Sequence, residues 1–213
     1  MYQNQPPAEF EDPGRPVMKS GWRMVCLVLL ASAWGLSELI GGETLLLTGV
    51  GLLLLATARA LWNRPGSSVA IAAIAVLFKT VNTAPFLCHL MGIALLGVAF
   101  DLTATLLWRD DRRAYLRAAL TGAVGAYLSC FLFATTMAWI FKYRYWAEGG
   151  LARIGEHTLY PGSRGALVAV IVVPLGLWFG RRLARQAEGH PRTALAATVT
   201  VCLALWVLGP FAN

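Results

Sequence analysis

The chain is 213 residues long, 57% hydrophobic and only 14% charged, with a mean hydropathy of +0.60, a balance that excludes an ordinary soluble domain. Its formal charge of +7 and pI of about 9.6 do not imply a nucleic-acid partner, because the basic residues fall in short clusters between apolar runs. A spanning helix needs about 20 apolar residues, so the sequence predicts an all-α polytopic integral membrane bundle of six to seven transmembrane helices, with no room for a soluble catalytic domain.

Residues 1–20, MYQNQPPAEFEDPGRPVMKS, carry four prolines and mixed charge with little apolar content, and are expected to form a disordered tail. Residues 21–213 are expected to form one transmembrane domain. The first helix, from about Trp22 to Ile40, sets Ala31, Gly35, Glu38 and Gly42 at helical spacing, so Glu38 rides on a stripe of small residues and looks into the bundle. After the turn at Gly41-Gly42-Glu43, a second helix runs from about Thr44 to Trp62. Asn63-Arg64-Pro65-Gly66-Ser67 is turn chemistry. The third helix, from about Ser68 to Ala84, puts Lys79 on a face with Ala72, Ala75 and Asn82.

Pro85 marks a tight turn into a fourth helix, from about Phe86 to Trp108, with Ala94, Gly97, Asp101 and Thr105 on one face. A basic turn, Arg109 to Arg113, precedes a fifth segment from about Ala114 to Tyr143. Residues 142–165 are polar and aromatic and read as a loop long enough for a lid or a short interfacial helix, with Tyr143, Tyr145, Trp146 and Tyr160 suited to a membrane interface. A sixth helix, from about Ala166 to Leu183, contains Pro174. A seventh runs from about Thr193 to Phe211.

The Lys and Arg residues cluster before helix one, at the second turn, after helix four and after helix six, and four more, Lys142, Arg144, Arg153 and Arg164, lie in the long stretch 142–164, which counts for less because long loops weigh little in orientation. The positive-inside rule therefore puts the amino terminus in the cytoplasm. Glu38 and Lys79 then lie at matching depth, each roughly 5–8 Å below the outer boundary, with Glu43, Asn82, Cys88 and His89 in the same layer and Asp101 roughly 20 Å deeper. Ionisable groups are costly in hydrocarbon, so Glu38 and Lys79 read either as an ion pair fixing helix one to helix three or as ligand contacts. Asp101 reads as structural, bonded to Thr105 or a neighbouring helix.

Four cysteines, Cys26, Cys88, Cys130 and Cys202, sit singly in different apolar runs and read as packing residues. Adjacent Cys88 and His89 point about 100° apart on a helix, which argues against a shared metal ion. No H-E-x-x-H, G-x-S-x-G or P-loop pattern occurs, so neither an enzyme nor a cofactor is expected, although His89 or Glu38 would be the acid or base of one. The small residues of helix one, Ala31 and Gly35 with Ala33, Ser37 and Gly41, are read as internal packing or as a docking face for another membrane subunit.

Through LLASAWGLSELIGG in helix one and the block RPGSSVAIAAIAVLFKTVN, the chain over about residues 22–183 resembles the substrate-binding S components of energy-coupling-factor vitamin transporters. Members have six helices, so the seventh here departs from the pattern. Their small-xxx-small motif in helix one contacts the coupling subunit; Ala31 and Gly35 match it, with Gly in place of the usual Ala. The resemblance implies a bacterial inner-membrane protein that captures a small polar metabolite or vitamin in its outer half and releases it through a separate coupling subunit and ATPases. The pocket expected is the layer of Glu38, Lys79, Asn82 and His89. The alternative is a structural or assembly subunit of a membrane complex, in which the charged layer only holds helices together.

Overall fold

Glycine, proline and clustered charge interrupt the apolar runs, and a helix closes at each interruption. The computed structural model describes residues 20–40, 43–82, 86–109, 111–189 and 191–208. In chain order the helices are α1 (Ser20–Ile40), α2 (Thr44–Leu61), α3 (Ser67–Asn82), α4 (Leu87–Leu107), α5 (Ala114–Thr135) with a π-helical extension Thr136–Ile140, α6 (Arg144–Gly189) and α7 (Pro191–Leu208). No strand occurs among the described residues. Among the described residues four helices (α2, α4, α5 with its extension, and α6) are long and apolar enough to cross a membrane, while α1 and α3 hold the shorter apolar stretches Met24–Leu39 and Ser67–Val81. The expected amino-terminal tail lies outside the described residues, except for Ser20.

The stretch expected to be a loop, or a loop with a short interfacial helix, 142–165, is helical from Arg144 on. Gly150, at φ 53° and ψ −148°, makes the break that the sequence placed over a much longer span, using a backbone region open only to glycine. Beyond it the helix continues through Pro161 and Pro174. Charged pairs one turn apart, Arg144 with Glu148 at 2.7 Å and Arg153 with Glu156 at 3.4 Å, support helix here. Residues that look like loop by polarity thus satisfy helical spacing.

The central helix is α2, which touches α1, α3, α4 and α6, while α5 packs between α4 and α6 and α7 lies against α1. Small residues set these approaches. Gly176 and Gly180, one turn apart on α6, lie so close to α2 that a Cβ on them would stand 2.6 Å from Ala56 and 2.5 Å from Ala60. A side chain at Gly122 would come within 2.6 Å of Val173, which locks α5 to α6. At Gly97 on α4 a Cβ would overlap Ala72 Cβ on α3. Leu52, Leu55, Ile71, Phe78, Phe100 and Val173 fill the core between them. The outward faces are strongly apolar, with Leu106, Leu151, Leu167, Val81 and Ile171 each more than half exposed.

Gly97→Ala is expected to lower stability by about 1–3 kcal/mol, the usual cost of overpacking, seen as a fall in the thermal midpoint in mild detergent. Adding Ala72→Gly removes the overlapping methyl, so the double variant should regain most of that loss. An unchanged midpoint in the single variant would mean that α3 and α4 do not approach this closely.

Candidate functional site

The charges that the sequence places within its apolar helices fall into two clusters, one at each end of the bundle. At the first, α1 and α3 run side by side in the same direction. Gly35 is buried, and a Cβ there would stand 2.7–2.8 Å from the ring and Cβ of Phe78. Because glycine leaves that space, Phe78 is fully buried and α3 sits close to α1. One turn along from Gly35, Lys79 Nζ reaches Glu38 Oε2 at 3.1 Å and donates also to the Glu38 carbonyl oxygen at 3.3 Å. Both side chains are about nine-tenths buried, at 10% exposure each. An ion pair so shielded needs both partners, since removing one strands the other charge.

This end also holds the start of α4, but His89 there is exposed and meets the Phe86 ring edge-on at 6.0 Å. The side chain of Asn82 lies outside those described. Ala31 and Gly35 face the interior, Ala31 being wholly inaccessible, and not the outer surface that a docking partner would meet. Helix α7 closes the same corner: Trp206 donates from its indole N–H to Ser32 Oγ at 2.9 Å and packs edge-on against Phe78 at 4.9 Å. The seventh helix is therefore part of the packing that holds the Glu38–Lys79 contact.

The second cluster is centred on Asp101. Its Oδ1 accepts from Arg59 Nη1 at 3.2 Å and from the Ser68 backbone N–H at 3.0 Å, and its Oδ2 accepts from the Gly66 N–H at 2.8 Å. The first N–H groups of a helix have no partner within it and carry its positive end. Asp101, reaching across from α4, thus caps α3. Arg59, 1% exposed, shares the same Nη1 among Asp101, the Arg64 carbonyl and Ser67 Oγ at 3.2 Å, and donates from Nη2 to Thr105 Oγ1 at 2.9 Å. Thr105 in turn donates to the Asp101 carbonyl at 2.7 Å. Three helices and one turn meet at a single carboxylate.

Sequence reasoning identified Asp101 and Thr105 but missed Arg59, counting it among turn charges. The signal was available: Arg59 lies in the last turn of α2 and Asp101 within two turns of the end of α4, and those two ends face the same side. Chemically, each charge in both clusters meets an opposite charge within the protein, although Arg59 Nε and Ser68 Oγ are buried without a hydrogen-bond partner among the described residues. Among the described residues no three His, Cys, Asp or Glu side chains gather as metal ligands. His157 packs between Trp146 at 4.8 Å and Phe133 at 5.7 Å. Comparison with known proteins finds no matching family model, no matching curated protein and no matching solved structure.

Asp101→Ala is expected to cost about 3–5 kcal/mol, because it leaves a buried guanidinium without its counter-charge, and thermal or denaturant unfolding in detergent measures this. Replacing the pair together, Arg59→Met with Asp101→Leu, removes both charges and should recover only part of the loss. The Gly66 and Ser68 N–H groups still lack their acceptor in that variant. Full recovery would show that capping of α3 contributes nothing.

Proposed function

We propose that the protein is a polytopic integral membrane protein that acts as a structural or assembly subunit of a membrane complex, its buried charges serving to fix helices to one another. The observation that carries this reading is the use of Lys79: it is donated to the side chain and main chain of Glu38 in a contact nine-tenths shielded from solvent. The apolar outer faces of the helices support lipid as their surroundings. Arg64, Arg109, Arg112, Arg113, Arg181, Arg182 and Arg185 all belong to the end of the bundle where Asp101 lies, and the positive-inside rule assigns that end to the cytoplasm.

A second reading, a solute-binding subunit that works with separate coupling and ATPase subunits, draws on one observation. Glu38, Lys79 and His89 belong to the same end of the bundle, the end assigned to the outside. A polar metabolite would have to enter between Glu38 and Lys79 and replace each as the other's partner. The resemblance to S components favours this reading, whereas the closed 3.1 Å contact favours the first.

Single variants Glu38→Gln and Lys79→Met should each destabilise the protein by about 3–5 kcal/mol, while the apolar pair Glu38→Leu with Lys79→Met should return close to the parent value. Mass spectrometry of the parent protein, purified in mild detergent, should detect no small polar molecule bound in stoichiometric amount. A metabolite that copurifies with the parent and is lost from Glu38→Gln while the fold persists would overturn the structural reading in favour of solute binding.

A further inference from the structure

The carboxy-terminal part of α6 carries a feature that neither ion pair explains. Trp178, Arg182, Arg185 and Gln186 line a groove of about 330 Å³. Their spacing of four, seven and eight residues from Trp178 puts them on one helix face. The Arg182 guanidinium lies over the Trp178 ring, 5.4 Å from its centroid. A guanidinium held as a cation over an indole keeps N–H donors for an anion, and its fork geometry suits phosphate. No carboxylate lines the groove, and among the described residues Arg185 has no ion-pair partner.

The same face continues toward the middle of α6 as an exposed apolar stripe. Leu175 is 46% exposed, Ile171 64% and Leu167 73%, at successive turns before Trp178. Read along the helix, the order is aliphatic side chains, an amphipathic indole, then two cations and an amide. A phospholipid has the same order: acyl chain, glycerol backbone, phosphate. Isolated cations at a membrane surface attract any anion, but the adjoining aliphatic track recognises only one attached to a chain.

We infer that this face of α6 is a binding site for an anionic phospholipid of the leaflet at the arginine-rich end, with the phosphate held by Arg182 and Arg185, the glycerol region against Trp178 and an acyl chain along Leu175, Ile171 and Leu167. Gln186 donates to the headgroup from beside the arginines. The site rests on the membrane reading above and makes it specific, because basic grooves at the cytoplasmic ends of helices select charged headgroups over zwitterionic ones. It asks nothing of the Glu38–Lys79 end.

The test reconstitutes the parent protein and the double variant Arg182→Ala/Arg185→Ala in nanodiscs of phosphatidylcholine, then titrates phosphatidylglycerol and reads bound lipid by native mass spectrometry after release into detergent. Both arginines are exposed, so the variant keeps the fold, which its thermal midpoint in phosphatidylcholine checks. Parent protein should retain phosphatidylglycerol selectively, and the double variant should bind it about 25-fold more weakly, roughly fivefold for each cation. The control Arg112→Ala/Arg113→Ala removes two exposed cations from the same end and should change affinity less than twofold. Equal losses in the two variants would reduce the effect to general surface charge and overturn the site. Inorganic phosphate that displaced the lipid at comparable concentration would overturn the lipid assignment in favour of a free phosphate site. Failure of the parent to enter nanodiscs would overturn the membrane reading itself, whereas entry without selective retention would overturn the lipid site alone.

Discussion

A buried carboxylate must have its charge and its lone pairs answered from within the protein, and the arrangement around Asp101 follows from that constraint. Arg59 supplies the charge, and Gly66, just before α3, and Ser68, in its first turn, supply two backbone donors, at 2.8 and 3.0 Å. In return the carboxylate satisfies the Ser68 N–H, which no residue of α3 can satisfy, and that of the residue leading into the helix. The exchange fixes α2, α3 and α4 at a common point. It also explains why the turn Asn63–Gly66 is short and carries Gly66 at φ 86°: the backbone must fold back so that its N–H groups aim at α4.

Glycine does at the helix contacts what the charges do at the ends. Close approach of two helices comes from matched shape, and small residues let the backbones meet. Gly97 admits Ala72, Gly35 admits Phe78, and Gly176 and Gly180 admit α2. Where Gly35 brings α1 and α3 together, Lys79 comes within reach of Glu38; where Gly97 brings α3 and α4 together, Asp101 comes within reach of Gly66 and Ser68. Small residue and ion pair are therefore coupled devices: the first sets the distance that the second requires.

Much of this was legible in the sequence, for reasons that can be named. Apolar runs bounded by Pro, Gly and charge placed α1 to α5 to within a few residues, whereas α6 begins at Arg144 rather than near the expected Ala166, and matching depth brought Glu38 and Lys79 to one layer. The assignment of residues 142–165 as a loop failed because polarity was weighed above spacing: Arg144 with Glu148 and Arg153 with Glu156 are one-turn helical pairs. Arg59 was missed because a cation near a helix end resembles a topology signal, and only the fold of the turn brings it to Asp101. The small residues Ala31 and Gly35 marked a close contact correctly, but periodicity does not say whether the neighbour is another helix of the same chain or another protein. In the structure that neighbour is α3, through Phe78.

The central claim is that Asp101 holds the first turn of α3 from across the bundle, and amide hydrogen exchange at Gly66 tests it most directly. Gly66 sits in an exposed turn, so its N–H has no protection except the hydrogen bond to Asp101 Oδ2. The account predicts slow exchange at Gly66 and Ser68 in the parent protein and, after Asp101→Asn, faster exchange at Gly66 in a chain that is still folded. Exchange at Gly66 in the parent as fast as at an unstructured glycine would contradict it.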